Sequence, residues 1–213
     1  MNTDDLIRLL ASDTVAVEPR VWRRRYALAL GAGLVGAIAL MLMVLGLRPD
    51  LGTAVLLPMF WVKFAFPVAL LAGALLATVR LSRPGLPLGR VAAAIAAPVL
   101  AIWVLAVIAL LGASPAERSA LIWGNTWTTC PANVTMLSMP AFIALFWVMK
   151  TLAPTQLRLA GAAAGLLAGA LGAAVYALHC PEMGAPFLGL WYVIGMLIPT
   201  TLGALIGPRL LRW

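Results

Sequence analysis

Two cysteines, Cys130 and Cys180, have the clearest chemical potential in this chain of 213 residues, and they are its only cysteines. Each is followed directly by a proline and lies at the edge of a long apolar stretch. In an oxidising compartment such a pair forms a disulfide or alternates between thiol and disulfide, and thiols also bind soft metal ions. The sequence leaves two interpretations open: a sensor of oxidants or metals, and a static disulfide or pair of inert thiols.

Three other residues are auxiliary candidates for this chemistry. His179 adjoins Cys180 and Glu182 follows shortly after, so both side chains are candidate ligands for a soft metal ion, although we predict no stable metal site. Lys63 lies inside an apolar stretch, where an ionisable side chain is a functional candidate by default. The alternative for Lys63 is a lipid-facing position from which its ammonium reaches the outer membrane interface.

Signatures of enzymes are absent from the sequence. There is one histidine, and neither HExxH, GxSxG nor a phosphate-binding glycine loop occurs. A membrane thiol–disulfide enzyme would need a Cys-x-x-Cys pair, whereas the two cysteines here are far apart in sequence. We therefore predict no enzymatic activity and no cofactor, apart from transient binding of a heavy-metal ion at Cys130 and Cys180.

The elements that must position these residues are transmembrane helices. Hydrophobic residues make up 63% of the chain, charged residues only 10%, and the mean hydropathy is +1.02, which is outside the range of soluble domains. The charges lie between apolar stretches of about 20 residues, the length that a helix needs to cross a bilayer. We predict an all-α bundle of six transmembrane helices, at about 26–47, 56–79, 91–111, 133–152, 159–178 and 186–206.

The positions of the basic residues predict the orientation of this bundle. Twelve of the fifteen Lys and Arg residues lie in the N-terminal head, in the turns at 80–90 and 150–158, or at the C-terminus. The positive-inside rule then places both termini in the cytoplasm, so the net charge of +8 reports topology rather than contact with nucleic acid. Both cysteines fall on the outer face, each ahead of an inward-running helix whose N-terminus favours a thiolate.

Residues 1–25 form a separate cytoplasmic segment, and residues 26–213 form the transmembrane domain. The segment begins as a helix with Asp4 and Asp5 in its first turn, the favourable charge at that end. Apolar residues follow at helical spacing, with Arg8 on the opposite side: Leu6, Ile7, Leu9 and Leu10. So short a helix cannot bury its own apolar face, and its acidic start favours a protein partner over a membrane surface.

Two packing devices are also predicted. Ser114 and Glu117 have the spacing of a helix capping box, with Pro115 at the first helical position. Glycines at four-residue spacing in the fifth and sixth spans predict close contact between helix backbones.

Several short motifs, in a fixed order, resemble one family. Residues 5–13 read Asp-Leu-Ile-x-x-Leu-Ala-x-Asp, residues 127–131 read Trp-x-x-Cys-Pro, and residues 176–182 read Tyr-Ala-Leu-x-Cys-x-Glu. Pro186-Phe187 and Trp191-Tyr192 follow. Together these motifs resemble the NrsF family, negative regulators of the sigma factor sigma-F in Proteobacteria. The resemblance extends over essentially the whole chain.

The resemblance implies an anti-sigma factor of the bacterial inner membrane. It would sequester an extracytoplasmic-function (ECF) sigma factor without contacting nucleic acid itself, and release it on metal or oxidative stress. By position, the sensor residues would be Cys130 and Cys180. The sigma-binding residues would be Asp4, Asp5, Leu6, Ile7, Leu9, Leu10 and Asp13.

The alternative function from the residues alone is a small six-span transporter or permease-like protein that uses Lys63. Transporters usually carry carboxylates or histidines within their spans, and all seven acidic residues here lie outside them.

Overall fold

A computed structural model describes residues 2–12, 19–83, 88–152 and 154–212. Throughout these ranges the regular structure is helical, and six helices are long and apolar enough to cross a membrane. This confirms the six predicted spans. Their bounds are Trp22–Leu45, Pro58–Leu81, Val91–Gly112, Cys130–Lys150, Leu157–Tyr176 and Ala185–Leu210.

The helices are numbered here in chain order. They are α1 (Thr3–Ser12), α2 (Pro19–Leu40), α3 (Leu51–Ala54), α4 (Pro58–Leu81), α5 (Val91–Gly112), α6 (Pro115–Trp123), α7 (Cys130–Lys150), α8 (Leu157–Tyr176), α9 (Ala185–Phe187) and α10 (Val193–Leu210). One π-helical turn, Met41–Leu45, extends α2, and another, Leu188–Tyr192, joins α9 to α10.

Prolines explain why two of the membrane-spanning helices begin at residues that differ from the predicted bounds. The second span begins at Pro58 itself, and the fourth begins at Cys130 with Pro131 as its next residue. Proline suits the first turn of a helix because the N–H that it lacks has no intrahelical partner there. Cys130 is therefore part of a helix, whereas the sequence pattern had placed it in the preceding loop.

Helix α8 lies at the centre of the bundle, and its glycines and alanines are buried along almost its whole length. A Cβ atom on Gly161 would collide with the Gly203 carbonyl oxygen of α10, and one on Gly165 would collide with the Pro199 carbonyl. The predicted close packing of the fifth and sixth spans is thus confirmed. Helices α7 and α4 pack on the other sides of α8.

The outer surface of the bundle is apolar, as a lipid environment requires. Helix α5 is peripheral, packing against α4 and α9, and many of its large side chains face outward, among them Trp103, Val104 and Ile108. Such surface would be unfavourable in water but is matched to hydrocarbon.

The predicted capping box of α6 is present. The Ser114 backbone N–H donates to Glu117 Oε2 at 3.0 Å, and the Ser114 hydroxyl donates to the same oxygen at 2.8 Å. These bonds stabilise the carboxylate and hold the pKa of Glu117 below its ordinary value.

Three loops meet at one end of the bundle: residues 46–50, 124–129 and 178–184, which we term the thiol end. Hydrogen bonds link the first and second of these loops to the third. At the opposite end, the Tyr26 and Ser82 hydroxyls lie 2.6 Å apart, and Arg25 donates to the Thr151 hydroxyl at 3.0 Å.

Candidate functional site

Cys130 and Cys180 both lie at the thiol end, and neither has any exposed surface. Both are free thiols, and they are neighbours in the structure. They come from different elements, since Cys130 begins α7 and Cys180 follows the end of α8. The sequence prediction that the two cysteines lie on the same side of the bundle is confirmed.

Only one of the two thiols lies at the N-terminus of a helix, the position that was predicted to favour a thiolate. Cys130 is the first residue of α7, as that prediction requires. The Cys180 N–H instead donates to the Tyr176 carbonyl at 2.9 Å, so Cys180 closes the C-terminal end of α8, and the next helix begins only at Ala185. The loop predicted before the sixth span is present, and its residues 181–184 separate Cys180 from that helix, so the Cys180 thiol does not lie at a helix N-terminus.

Lys63 extends from α4 to the loop that carries Cys180. Its Nζ donates to the Cys180 carbonyl at 2.5 Å and to the Glu182 carbonyl at 2.9 Å. The ammonium also lies 5.9 Å from the centre of the Tyr192 ring, within the range of a cation–π interaction. Lys63 has no exposed surface, so the alternative in which its side chain faces lipid is wrong.

Arg48 binds the same loop from another side. Its guanidinium donates to the Cys180 carbonyl at 3.3 Å, and its backbone N–H donates to the Leu178 carbonyl at 3.4 Å. It also forms a two-bond ion pair with Asp50, at 2.6 and 2.7 Å. The guanidinium holds the pKa of Asp50 below its ordinary value, and this hydrogen bonding raises the pKa of Arg48.

Two tyrosines complete the surroundings of the thiols. The rings of Tyr176 and Tyr192 lie 5.8 Å apart, and both tyrosines are neighbours of Cys180. The Tyr192 hydroxyl is completely buried, and within the described part of the chain it makes no hydrogen bond of good geometry. We refer to Cys130, Cys180, Lys63, Tyr176 and Tyr192 as the thiol cluster.

The side chains of His179 and Glu182 contact backbone groups of the other loops and are not arranged as metal ligands. His179 Nδ1 lies 2.9 Å from the Gly46 carbonyl oxygen. The Glu182 carboxylate accepts the Asn125 backbone N–H at 2.7 Å, and it packs against Gly124. Both side chains therefore connect the loops of the thiol end, and among the described residues no group of three metal-ligating side chains is found.

Sequence reasoning missed Arg48, Tyr176 and Tyr192. A signal existed for each of them. Arg48 is an exception to the charge pattern, because it is one of few basic residues in the loops that were predicted to lie on the outer face. Both tyrosines belong to the motifs that carry the family resemblance, yet a tyrosine beside an apolar stretch is usually an interfacial anchor, so no role was assigned to them.

The predicted partner-binding residues lie far along the chain from the thiol cluster. The first turn of α1 carries Asp4 and Asp5, both exposed, and Asn2 Oδ1 accepts the Thr3 N–H at 3.0 Å. Ile7 is 58% exposed. Leu6, Leu9 and Leu10 also belong to α1, while Asp13 lies outside the described residues.

Comparison with known proteins decides the family. The family model described as "NrsF: Negative regulator of sigma F" matches residues 10–213. The chain belongs to the NrsF family. It is 55% identical to the probable anti-sigma-F factor NrsF of Azospira oryzae over 213 residues, covering 100% of both chains.

A second relative is the anti-sigma-F factor NrsF of Caulobacter vibrioides, which is 41% identical over 215 residues and is also covered completely. No solved structure matches the chain. The NrsF resemblance predicted from the sequence motifs is thus confirmed, and the fold described above is that of an NrsF protein.

Proposed function

We propose that this chain is an inner-membrane anti-sigma factor that sequesters an ECF sigma factor through its N-terminal segment. The observation that carries the proposal is the similarity, over the full length of the chain, to a relative named as an anti-sigma-F factor. In the proposed topology both termini are cytoplasmic, so the segment of residues 1–25 faces the compartment of the transcription machinery. The basic residues of the head, the two turns and the C-terminus support this orientation.

Helix α1 is the proposed sigma-binding element. It is a short helix with an acidic first turn and an exposed Ile7, and its remaining apolar residues recur at helical spacing. An amphipathic helix of this kind binds by placing its apolar face in a hydrophobic groove. Asp4 and Asp5 add attraction to a basic protein, which a DNA-binding sigma factor would be.

The thiol end, which is periplasmic in this topology, is the proposed sensor. At rest Cys130 and Cys180 are reduced. An oxidant such as a peroxide takes two electrons, and the thiols lose two protons as a disulfide forms, while a thiol-binding metal ion displaces the protons without oxidation. Because both thiols are completely buried, neither reaction proceeds without displacing neighbouring groups.

The groups displaced would be those that fix the Cys180 loop to the bundle. Lys63 and Arg48 both donate to the Cys180 carbonyl, and the same loop continues directly from α8. Helix α8 packs along α10 through glycine contacts and runs to the opposite end of the bundle. A shift of α8 is therefore the proposed route by which a change at the thiols weakens sigma binding.

Transport through Lys63 gains no support from the geometry. A substrate-binding cation needs donors that are available to the substrate, whereas the Lys63 ammonium is bound to two backbone carbonyls and a tyrosine ring. These contacts give Lys63 a structural role in holding the loop.

Adjacent substitutions on opposite sides of α1 test the sigma-binding proposal. We expect Leu9→Asn to reduce retention of the sigma factor by the purified full-length protein by about tenfold or more, because truncating one apolar anchor of a helix-in-groove contact commonly costs that much. Arg8→Asn, the matched control, introduces the same residue on the opposite side and should retain binding. Equal retention by both variants and the wild type would refute docking through this face.

A further inference from the structure

We infer that the end of the bundle opposite the thiol end has a binding site for an anionic phospholipid, whose phosphate is bound by Arg23 and Arg83. The site is a cavity of about 450 Å³ between the start of α2 and the end of α4. This volume is in the range of ligand pockets in proteins. The lining residues are Trp22, Arg23, Tyr26, Val79, Ser82, Arg83 and Leu152.

Two guanidinium groups share one indole at this cavity. The Arg83 guanidinium carbon lies 4.4 Å from the centre of the Trp22 ring, and that of Arg23 lies 5.5 Å from it. Stacking on an aromatic ring fixes the plane of a guanidinium while leaving its N–H groups at the edge. The pair is thus oriented for an acceptor that lies beside the indole.

The N–H groups of this pair are available to such a ligand. Within the described residues, the guanidinium groups of Arg23 and Arg83 make no hydrogen bond or ion pair with the protein, whereas that of the nearby Arg25 donates to Thr151. Among the lining residues that the structure describes, there are two cations and no acid. Phosphate matches the forked donors of arginine, and the net positive charge selects an anionic ligand.

Two features of the cavity distinguish a lipid from a free phosphate. Val79 and Leu152 give it apolar walls, and the hydroxyls of Tyr26 and Ser82 are already bonded to each other at 2.6 Å. Ser82 also donates to the Thr78 carbonyl at 2.7 Å. The cavity therefore combines charged donors with apolar walls, and a phospholipid at a bilayer interface likewise combines a charged phosphate with apolar chains.

Lipid retention by the purified full-length protein tests the site. The protein is exchanged into nanodiscs or detergent containing phosphatidylglycerol or phosphatidylcholine, and bound lipid is counted by native mass spectrometry. We expect the wild type to retain phosphatidylglycerol with at least about tenfold preference, since each basic residue near an anionic membrane surface contributes measurably. Arg23→Gln with Arg83→Gln should remove this preference.

The matched control is Arg90→Gln with Arg158→Gln, which removes two exposed charges, one at the start of α5 and one in the first turn of α8, and should keep the preference. Equal loss in both double variants would overturn the inference, because it would show attraction to general charge rather than to a site. If the double variant of Arg23 and Arg83 fails to accumulate, the wild type alone decides, and equal retention of the two lipids overturns the inference. Displacement of the lipid by millimolar inorganic phosphate would also overturn it in favour of a free-phosphate site.

Discussion

Replacing Gly165 by leucine is expected to destabilise the transmembrane domain. Even a Cβ atom at this position would lie at 2.7 Å from the Pro199 carbonyl carbon and 2.8 Å from the Thr200 Cα, so the whole of α10 would have to move away from α8. Overpacking of a close contact commonly costs about 1–3 kcal/mol, and contact with backbone rather than flexible side chains leaves little room for relief. We expect a fall in melting temperature on the order of 10 °C.

Gly31→Leu is the matched control for this prediction. A Cβ atom at Gly31 meets nothing within 4 Å, so the same substitution there should leave the melting temperature nearly unchanged. The two native cysteines provide the readout, because both are completely buried and a bulky thiol-sensitive dye reacts with them much faster once the bundle unfolds. Equal melting temperatures for the two leucine variants would show that α8 and α10 are not in the contact described.

Replacing both cysteines by serine is expected to separate sensing from repression. In cells carrying a sigma-dependent reporter, Cys130→Ser with Cys180→Ser should repress as strongly as the wild type, because serine is nearly the same size as cysteine. Induction by peroxide or cadmium should disappear completely, because serine neither forms a disulfide nor binds soft metals.

The Leu9→Asn variant is the complementary control, since it should show high reporter activity without inducer and no further response. Normal induction of the double serine variant would remove the thiols from the mechanism while leaving sigma binding by α1 intact. Loss of repression in that variant would instead give Cys130 and Cys180 a structural role in the bundle.

The transmembrane helices were predictable because the bilayer constrains them so strongly. A span needs a minimum length of apolar residues, and that length is visible in the sequence whatever the tertiary contacts are. The close helix contact at Gly161 and Gly165 was predictable for a similar reason, since close approach of two helices requires small residues at regular spacing. The boundaries near Pro58 and Cys130 differed from the prediction because hydropathy does not reveal the first turn of a helix.

The partners of Lys63 could not be predicted from its neighbours in sequence. Aromatic residues flank it, which favoured a lipid-facing position, but its acceptors are the backbone carbonyls of Cys180 and Glu182, 117 and 119 positions away. Every residue has a carbonyl, so no sequence pattern marks the ones that a buried ammonium will use. The position of Cys180 just after the fifth span agrees with the prediction, whereas its hydrogen bond to the Tyr176 carbonyl has no signal in the sequence.

Site-specific crosslinking tests the central claim, sigma binding by α1, most directly. A photoreactive diazirine amino acid is placed singly at Ile7, at Leu210 or at Leu56, which are 58%, 45% and 80% exposed. In the proposed topology Leu210 shares the cytoplasmic side with Ile7, and Leu56 lies on the opposite side. The account predicts crosslinks to the sigma factor from Ile7 and none from Leu56 or Leu210. Crosslinks from Leu210 or Leu56 with none from Ile7 would contradict it.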